Sequence, residues 1–269
     1  MSSLQREISQ SDNQRPGPAV IVNADDWGRD ADNTNRTLDC VHHGAVSSVS
    51  AMAFMQDSAR AAQLAREHTI DAGLHLNFTT PFFAAPARLA DHQQRLASFL
   101  RAHRLAPIFY NPLLASSFDY VVRAQSEEYE RLYGAPPVRF DGHHHMHLCA
   151  NLLFQKLLPS GSIVRRNFSF APGEKSFFNR QYRAWQDRLA ARRHRMTDYF
   201  FLLPASSPER LRNIFSLAND FDVEIETHPV ADNDYNLLMS GQFIALAGDI
   251  AIARGYTLRS HPVTPGAHA

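Results

Sequence analysis

From residue 19 onward the chain alternates short apolar runs, each closing on polar residues, with longer stretches of helical spacing. The runs at 19–22, 47–55, 72–79, 138–148, 163–169, 198–203, 223–230 and 256–259 predict strands. Stretches at 31–43, 58–67, 120–132, 152–158, 177–195, 208–218 and 243–254 predict helices between them. Strand–helix alternation implies right-handed βαβ units around a parallel sheet. About seven or eight such units point to an α/β fold, a distorted (β/α)7-8 TIM-like barrel in a single domain over 19–269. An open doubly wound sheet is the competing architecture. Residues 80–112 break the rhythm with Pro81, Pro86, Pro107 and Pro112, as an insertion over the active face would. Residues 1–18 are polar and predict a disordered N-terminal tail, with no secretory signal in it.

Side chains alternate faces along a strand, so each run can be split into two faces. His75 and Asn77 oppose Leu74, Leu76 and Phe78. Asp141, His143, His145 and His147 share one face of their run, and Glu224, Glu226 and His228 oppose Val223 and Ile225. Arg165 and Asn167 point together. In a barrel the apolar faces meet the helices and the polar faces converge at the mouth. Solvent-exposed faces of antiparallel strands are the competing reading, but such faces ordinarily carry Lys, Glu and Thr rather than His.

Composition removes several function classes. The 27 basic and 27 acidic residues cancel, which argues against a nucleic-acid partner held by a bulk field. No apolar run approaches the ~18 residues of a membrane span. The two cysteines, Cys40 and Cys149, make no disulfide framework and suggest a cytoplasmic location. No glycine-rich phosphate loop follows a strand. The arginines at 180, 183, 188, 192, 193 and 195 read as a solvated helix face. The aromatic residues Phe177, Phe178, Tyr182 and Trp185 read as core, whereas Phe82 and Phe83 in the insertion are sugar-contact candidates. Histidine stands out, with 14 copies in 269 residues.

Those histidines suggest a metal. Imidazoles at alternating positions, as in His143-His144-His145-Met146-His147, are a usual ligand source for Zn, Fe, Co or Ni. Asp25-Asp26 ends the first strand, where one carboxylate can bind a cation and the other handle a proton. One carboxylate plus two histidines leaves positions open on the ion, as catalysis requires.

Five segments in order, NADDWG from Asn23, GLHLNFT from Gly73, FDGHHHMHL from Phe140, ETHPV from Glu226 and RGYTLRS from Arg254, resemble the YdjC/ChbG-like carbohydrate deacetylase family. The resemblance spans 19–260, with Trp27 standing where the family usually has Phe. It implies a distorted (β/α) barrel that removes N-acetyl groups from amino-sugar oligosaccharides with one divalent ion, Zn or Mg. It further implies that Asp25 is the general base, that Asp26, His75 and His143 are the metal ligands, and that His228 is the general acid. By the same resemblance Arg165 holds Asp25, and His145 contacts substrate or supports the site. The face-sharing Asn77 and the aromatic Phe82 are further substrate candidates. The expected partner is an N-acetylated sugar or oligosaccharide, and a homo-oligomer is left open. Two competing functions remain: a metal-dependent phosphoesterase on a similar barrel, and a non-catalytic metal- or sugar-binding protein.

Overall fold

A computed structural model describes residues 17–170 and 173–259, so the predicted tail at 1–18 lies almost entirely outside the described residues. Among the described residues eight strands form one parallel sheet. They are β1 (Ala19–Trp27), β2 (Ser48–Ala51), β3 (Asp71–Leu76), β4 (Arg139–Gly142), β5 (Ile163–Val164), β6 (Tyr199–Leu202), β7 (Val223–Thr227) and β8 (Ala251–Ile252). The helices are α1 (Ala31–His42), α2 (Ser58–Glu67), α3 (Ala87–Ala102), α4 (Ala115–Tyr133), α5 (Ala150–Gln155), α6 (Phe177–Ala191), α7 (Pro208–Leu217), α8 (Asp232–Met239) and α9 (Gly241–Ala247).

The strand order is β5-β4-β3-β2-β1-β7-β6, with β8 set beside the first two residues of β1. The result is an α/β fold with a curled parallel sheet. Among the described residues no ladder joins β5 to β6; the two ends meet through single contacts, such as Ser169 N–H donating to the Phe200 carbonyl at 2.7 Å. The closed barrel expected from the strand–helix rhythm is therefore present as a curl with an open seam. Its cause is local: β5 has only two residues in ladder register before the chain turns into irregular structure.

The alternation rule explains how the sheet divides its side chains. Val20, Val22 and Ala24 of β1, Leu74 of β3, Phe140 of β4 and Ile225 of β7 are buried in the apolar core. Phe118 and Val121 of α4, and Leu211 and Phe215 of α7, belong to the same core. The opposite face holds Asn23 and Asp25, Ser48 and Ser50, Gly73 and His75, Arg139 and Asp141, and Glu224 and Glu226. All except Gly73 are classed among the buried polar residues. The concave side of the curl is thus packed with polar groups, and burial without partners would be costly.

Four expected elements change, and one helix is added. The strand expected over 138–148 stops at Gly142, and His143–Leu148 form a tight turn instead. His144 and His145 both take left-handed backbone there, with φ of 56°, which ends the alternation that was expected to set Asp141, His143, His145 and His147 on one face. The strand expected at 256–259 is absent; a short strand at Ala251–Ile252 replaces the end of the helix expected over 243–254. Residues 80–112, read as irregular, contain the 16-residue α3, which follows directly on Pro86 and packs on α4. Helix α8 was not anticipated, because its Asp232-Asn233-Asp234 start reads as a turn.

Gly73 is required by packing. A Cβ there would stand 2.7 Å from the Arg139 guanidinium carbon. That guanidinium is fixed by the Asn23 side chain and the Val49 carbonyl, each at 3.0 Å, and has little room to withdraw. Gly73→Ala is expected to cost roughly 1–3 kcal/mol of stability, as overpacking does, and urea denaturation measures it.

Candidate metal centre and active site

Strand β1 delivers two consecutive carboxylates to one place by breaking its own register. Its pairing to β2 slips between Ala24 and Trp27, and Asp26 adopts a φ of 62°. Strict alternation would send Asp25 and Asp26 to opposite faces. A bulge re-aims one side chain, and bulges recur beside active sites. Both carboxylates are buried at 2% exposure.

Arg165, just beyond β5, crosses the concave face to meet them. Its Nη1 and Nη2 donate to Asp25 Oδ2 and Oδ1, each at 2.7 Å. Its Nε donates to Glu224 Oε1 at 2.8 Å, and Nη2 lies 3.1 Å from Asp141 Oδ2. Nη1 also reaches Glu226 Oε2 at 3.3 Å. Burial works against charge on Asp25, but Arg165 and then His75 outweigh it and hold the carboxyl below the usual carboxylate range. Asn23 Nδ2 adds a hydrogen bond to Oδ1 at 2.9 Å.

His75 is fixed from behind. The parallel register pairs it directly with Asp141, and its Nδ1 stands 2.8 Å from Asp141 Oδ1. An ionised carboxylate only accepts, so Nδ1 keeps its proton, and Nε2 is the nitrogen whose lone pair an ion would take in place of a proton. That Nε2 lies 3.4 Å from Asp26 Oδ1, and His143 Nδ1 lies 2.9 Å from the same oxygen. Neither His75 Nε2 nor Asp26 Oδ1 has an aligned hydrogen-bond partner, although both are fully buried. Three such atoms, crowded together without aligned hydrogen bonds between them, could serve as the donor set for a metal ion. The residues present therefore fit a divalent ion, with Asp141 as the carboxylate that orients the histidine. In the metal-free chain burial opposes charge on His75, yet Asp25, Asp141 and Asp26 raise its pKa to about 10.

The mouth of this site is a cleft of about 350 Å³ lined by Asp25, Asp26, Arg29, His75, His143, His144, His145, Glu226 and His228. Arg29 donates to Asp26 Oδ2 at 2.8 Å. His228 follows β7 and is about one-third exposed, with its backbone N–H held by Asp234 Oδ2 at 2.9 Å. His145 lies against Phe168 and Phe200 with Nε2 3.7 Å from Glu226 Oε2.

The sequence-predicted residues thus divide. Asp25, Asp26, His75, His143, His145 and His228 line one cleft, and Arg165 underlies it. Asn77 is buried away from it: Oδ1 accepts from the backbone of Thr79 and Thr80, and Nδ2 donates to the Thr80 carbonyl. Phe82 packs on Phe54 and lines a separate groove with α3. His147 faces the backbone, its Nε2 2.9 Å from the Arg165 carbonyl. Asp141 and Glu224 were not assigned roles from sequence, nor was Tyr256, whose hydroxyl donates to Glu224. Asp141 was detectable, since it shares a face parity with Arg139 in a strand that neighbours His75. Tyr256 carried no comparable signal.

The profile of the YdjC-like protein family matches residues 19–254. A chitooligosaccharide deacetylase of Yersinia pestis (strain Pestoides F) is 31% identical over 132 residues, 48% of this chain and 50% of that protein. Its counterpart in Serratia marcescens is 30% identical over the same share. The chain thus spans about half the length of the curated relatives it matches. A solved structure from Enterococcus faecalis V583, a proposed cellobiose-phosphate cleavage protein, superposes with a TM-score of 0.61. It is 16% identical, covers 88% of this chain and 97% of its own, and bears on the fold alone. With a profile match over nearly all the described residues, the chain belongs to the YdjC-like family.

Proposed function

We propose that this protein is a carbohydrate deacetylase that hydrolyses the N-acetyl amide of amino sugars or their oligosaccharides and depends on one divalent metal ion. The observation that carries the reading is the convergence of the unsatisfied Asp26 Oδ1 and His75 Nε2 on His143, with Asp25 and His228 on the same cleft. Relatives named chitooligosaccharide deacetylases support the substrate class.

Asp26, His75 and His143 would hold the ion. When bound, it would supply Lewis acidity toward the acetyl carbonyl and a water of lowered pKa. An oxygen and two imidazole nitrogens suit Zn, and mixed ligation also admits Mg. Asp25 is the base: ionised by Arg165, it accepts the water proton as the nucleophile adds to the carbonyl. The bidentate Arg165 pair occupies one lone pair on each Asp25 oxygen, so it fixes the direction from which that proton arrives. His228 is the acid. It gives a proton to the leaving nitrogen, a task worth about 10²–10⁴-fold in rate. Its partial exposure suits a group that must meet substrate and reload from solvent. His145 is a candidate contact for the sugar at the cleft wall.

A two-metal phosphoesterase would need a second ion at Asp25, Glu226 and His228, which also lie close together. The Arg165 cation on Asp25 opposes that occupancy electrostatically. A purely binding protein would need neither an acid nor a base beside the donors.

Three outcomes test the reading. Acetate, and no phosphate, is released from N-acetylated chitooligosaccharides, and the activity disappears on chelation and returns with added Zn or Mg. Asp26→Asn and His75→Ala lose bound metal, as measured by elemental analysis, and with it turnover. Asp25→Asn retains metal while turnover falls at least ~10²-fold. Normal turnover in Asp25→Asn would sink the base assignment.

A further inference from the structure

Four carboxylates surround Arg165, and three of them are well supplied with donors. Asp25 accepts from Arg165 and Asn23. Asp141 accepts from His75 and Ser50 and pairs with Arg165. Glu224 accepts from Arg165 and Tyr256. Glu226 is different. It is 3% exposed, yet its one hydrogen bond among the described residues is the long 3.3 Å contact from Arg165 to Oε2. Its other oxygen, Oε1, faces His228 Nδ1 at 3.9 Å. A buried carboxylate with so little compensation either holds a proton or shares one.

We propose that Glu226 is the positioning residue of the leaving-group acid, holding the His228 imidazole through Nδ1 and sharing a proton with it. The step it serves rests on the deacetylase reading; the pairing itself does not. The charged and titratable groups around Glu226 are Asp25 from β1, His75 from β3, His145 from the turn after β4, Arg165 from beyond β5, and Glu224 and His228 from its own strand and its end. Burial first, and then the Asp25 anion, push the Glu226 carboxyl well above the usual carboxylate range against the pull of Arg165. It is therefore the carboxyl in this site most ready to carry a proton.

His228 gives its Nε2 proton to the leaving nitrogen as the amide C–N bond breaks, and the bond's electron pair stays on that nitrogen. The Glu226 proton passes to His228 Nδ1. Glu226 is left as a carboxylate and His228 as neutral imidazole. Solvent reloads the pair through the exposed edge of His228, and the proton that Asp25 took from water returns to solvent. The approach of Nδ1 to Oε1 must shorten to about 3 Å in the substrate complex, as catalytic hydrogen bonds do when a site fills.

Glu226→Gln keeps the volume and removes the transferable proton, and Glu226→Asp keeps the acid. In the metal-loaded full chain, Glu226→Gln is expected to lower kcat for a chitooligosaccharide by about 10–10²-fold. KM, bound metal and melting temperature stay unchanged, and Glu226→Asp recovers part of the rate. Losing the partner carboxylate destabilises imidazolium. The alkaline limb of the rate profile and the His228 ring titration by NMR should therefore both move down by about one pH unit in Glu226→Gln. An unmoved His228 titration overturns the proposal, as does a rate loss that tracks lost metal or lost folded protein. In a chain that releases no acetate the deacetylase reading falls, and the His228 titration alone then upholds or overturns the pairing.

Discussion

The interior of this curled sheet is organised by one buried cation. Arg165 is 1% exposed and lies within 3.3 Å of Asp25, Asp141, Glu224 and Glu226, which come from three different strands. A guanidinium presents its donors in a fixed planar fork. Its partners must therefore stand where the fork points, and β1, β4 and β7 are held to one curvature. Burying the same carboxylates without it would leave uncompensated charge, which costs far more than the pair returns in net stability. The neighbouring Arg139 repeats the device one layer down, bonded to Asn23 and the Val49 carbonyl, with Gly73 leaving room for it.

On the concave face Arg139 and Arg165 do not balance the buried Asp25, Asp26, Asp141, Glu224 and Glu226, and the imbalance is functional information. Asp26 is turned away from Arg165 by the β1 bulge, and Arg29 reaches only one of its oxygens. The other oxygen, with His75 Nε2, is left without a bonded partner. Arginine thus fixes Asp25 as an anion, and the bulge leaves one Asp26 oxygen open to the ion proposed above. The same asymmetry separates the two roles proposed for adjacent aspartates, one for the proton and one for the ion. It also isolates Glu226, the carboxylate that Arg165 serves least well.

Much of this was legible in the sequence because it follows period two. The inward sets of β1, β3, β4 and β7 are the alternating residues that the apolar face leaves over, and His75 and Asp141 meet through simple parallel register. What was not legible depended on departures from periodicity. The left-handed His144 and His145 end the fourth strand at Gly142, and no spacing rule anticipates two consecutive residues there. Asn77 obeyed the parity rule, yet the chain turns immediately after β3 and its amide is used by the backbone of that turn. Closure failed as an expectation for a similar reason: residues 163–169 have strand composition, but only Ile163 and Val164 find a ladder.

In the proposed mechanism Asp26, His75 and His143 share one divalent ion in front of the Arg165–Asp25 pair. The most direct measurement is a crystal structure of the protein soaked with Zn, with the ion located by its anomalous scattering. A single strong peak is expected ~2.0–2.2 Å from Asp26 Oδ1, His75 Nε2 and a His143 ring nitrogen, with Asp25 still bonded to Arg165. A principal peak at Asp25, Glu226 and His228, or none within the cleft at saturating Zn, would contradict it.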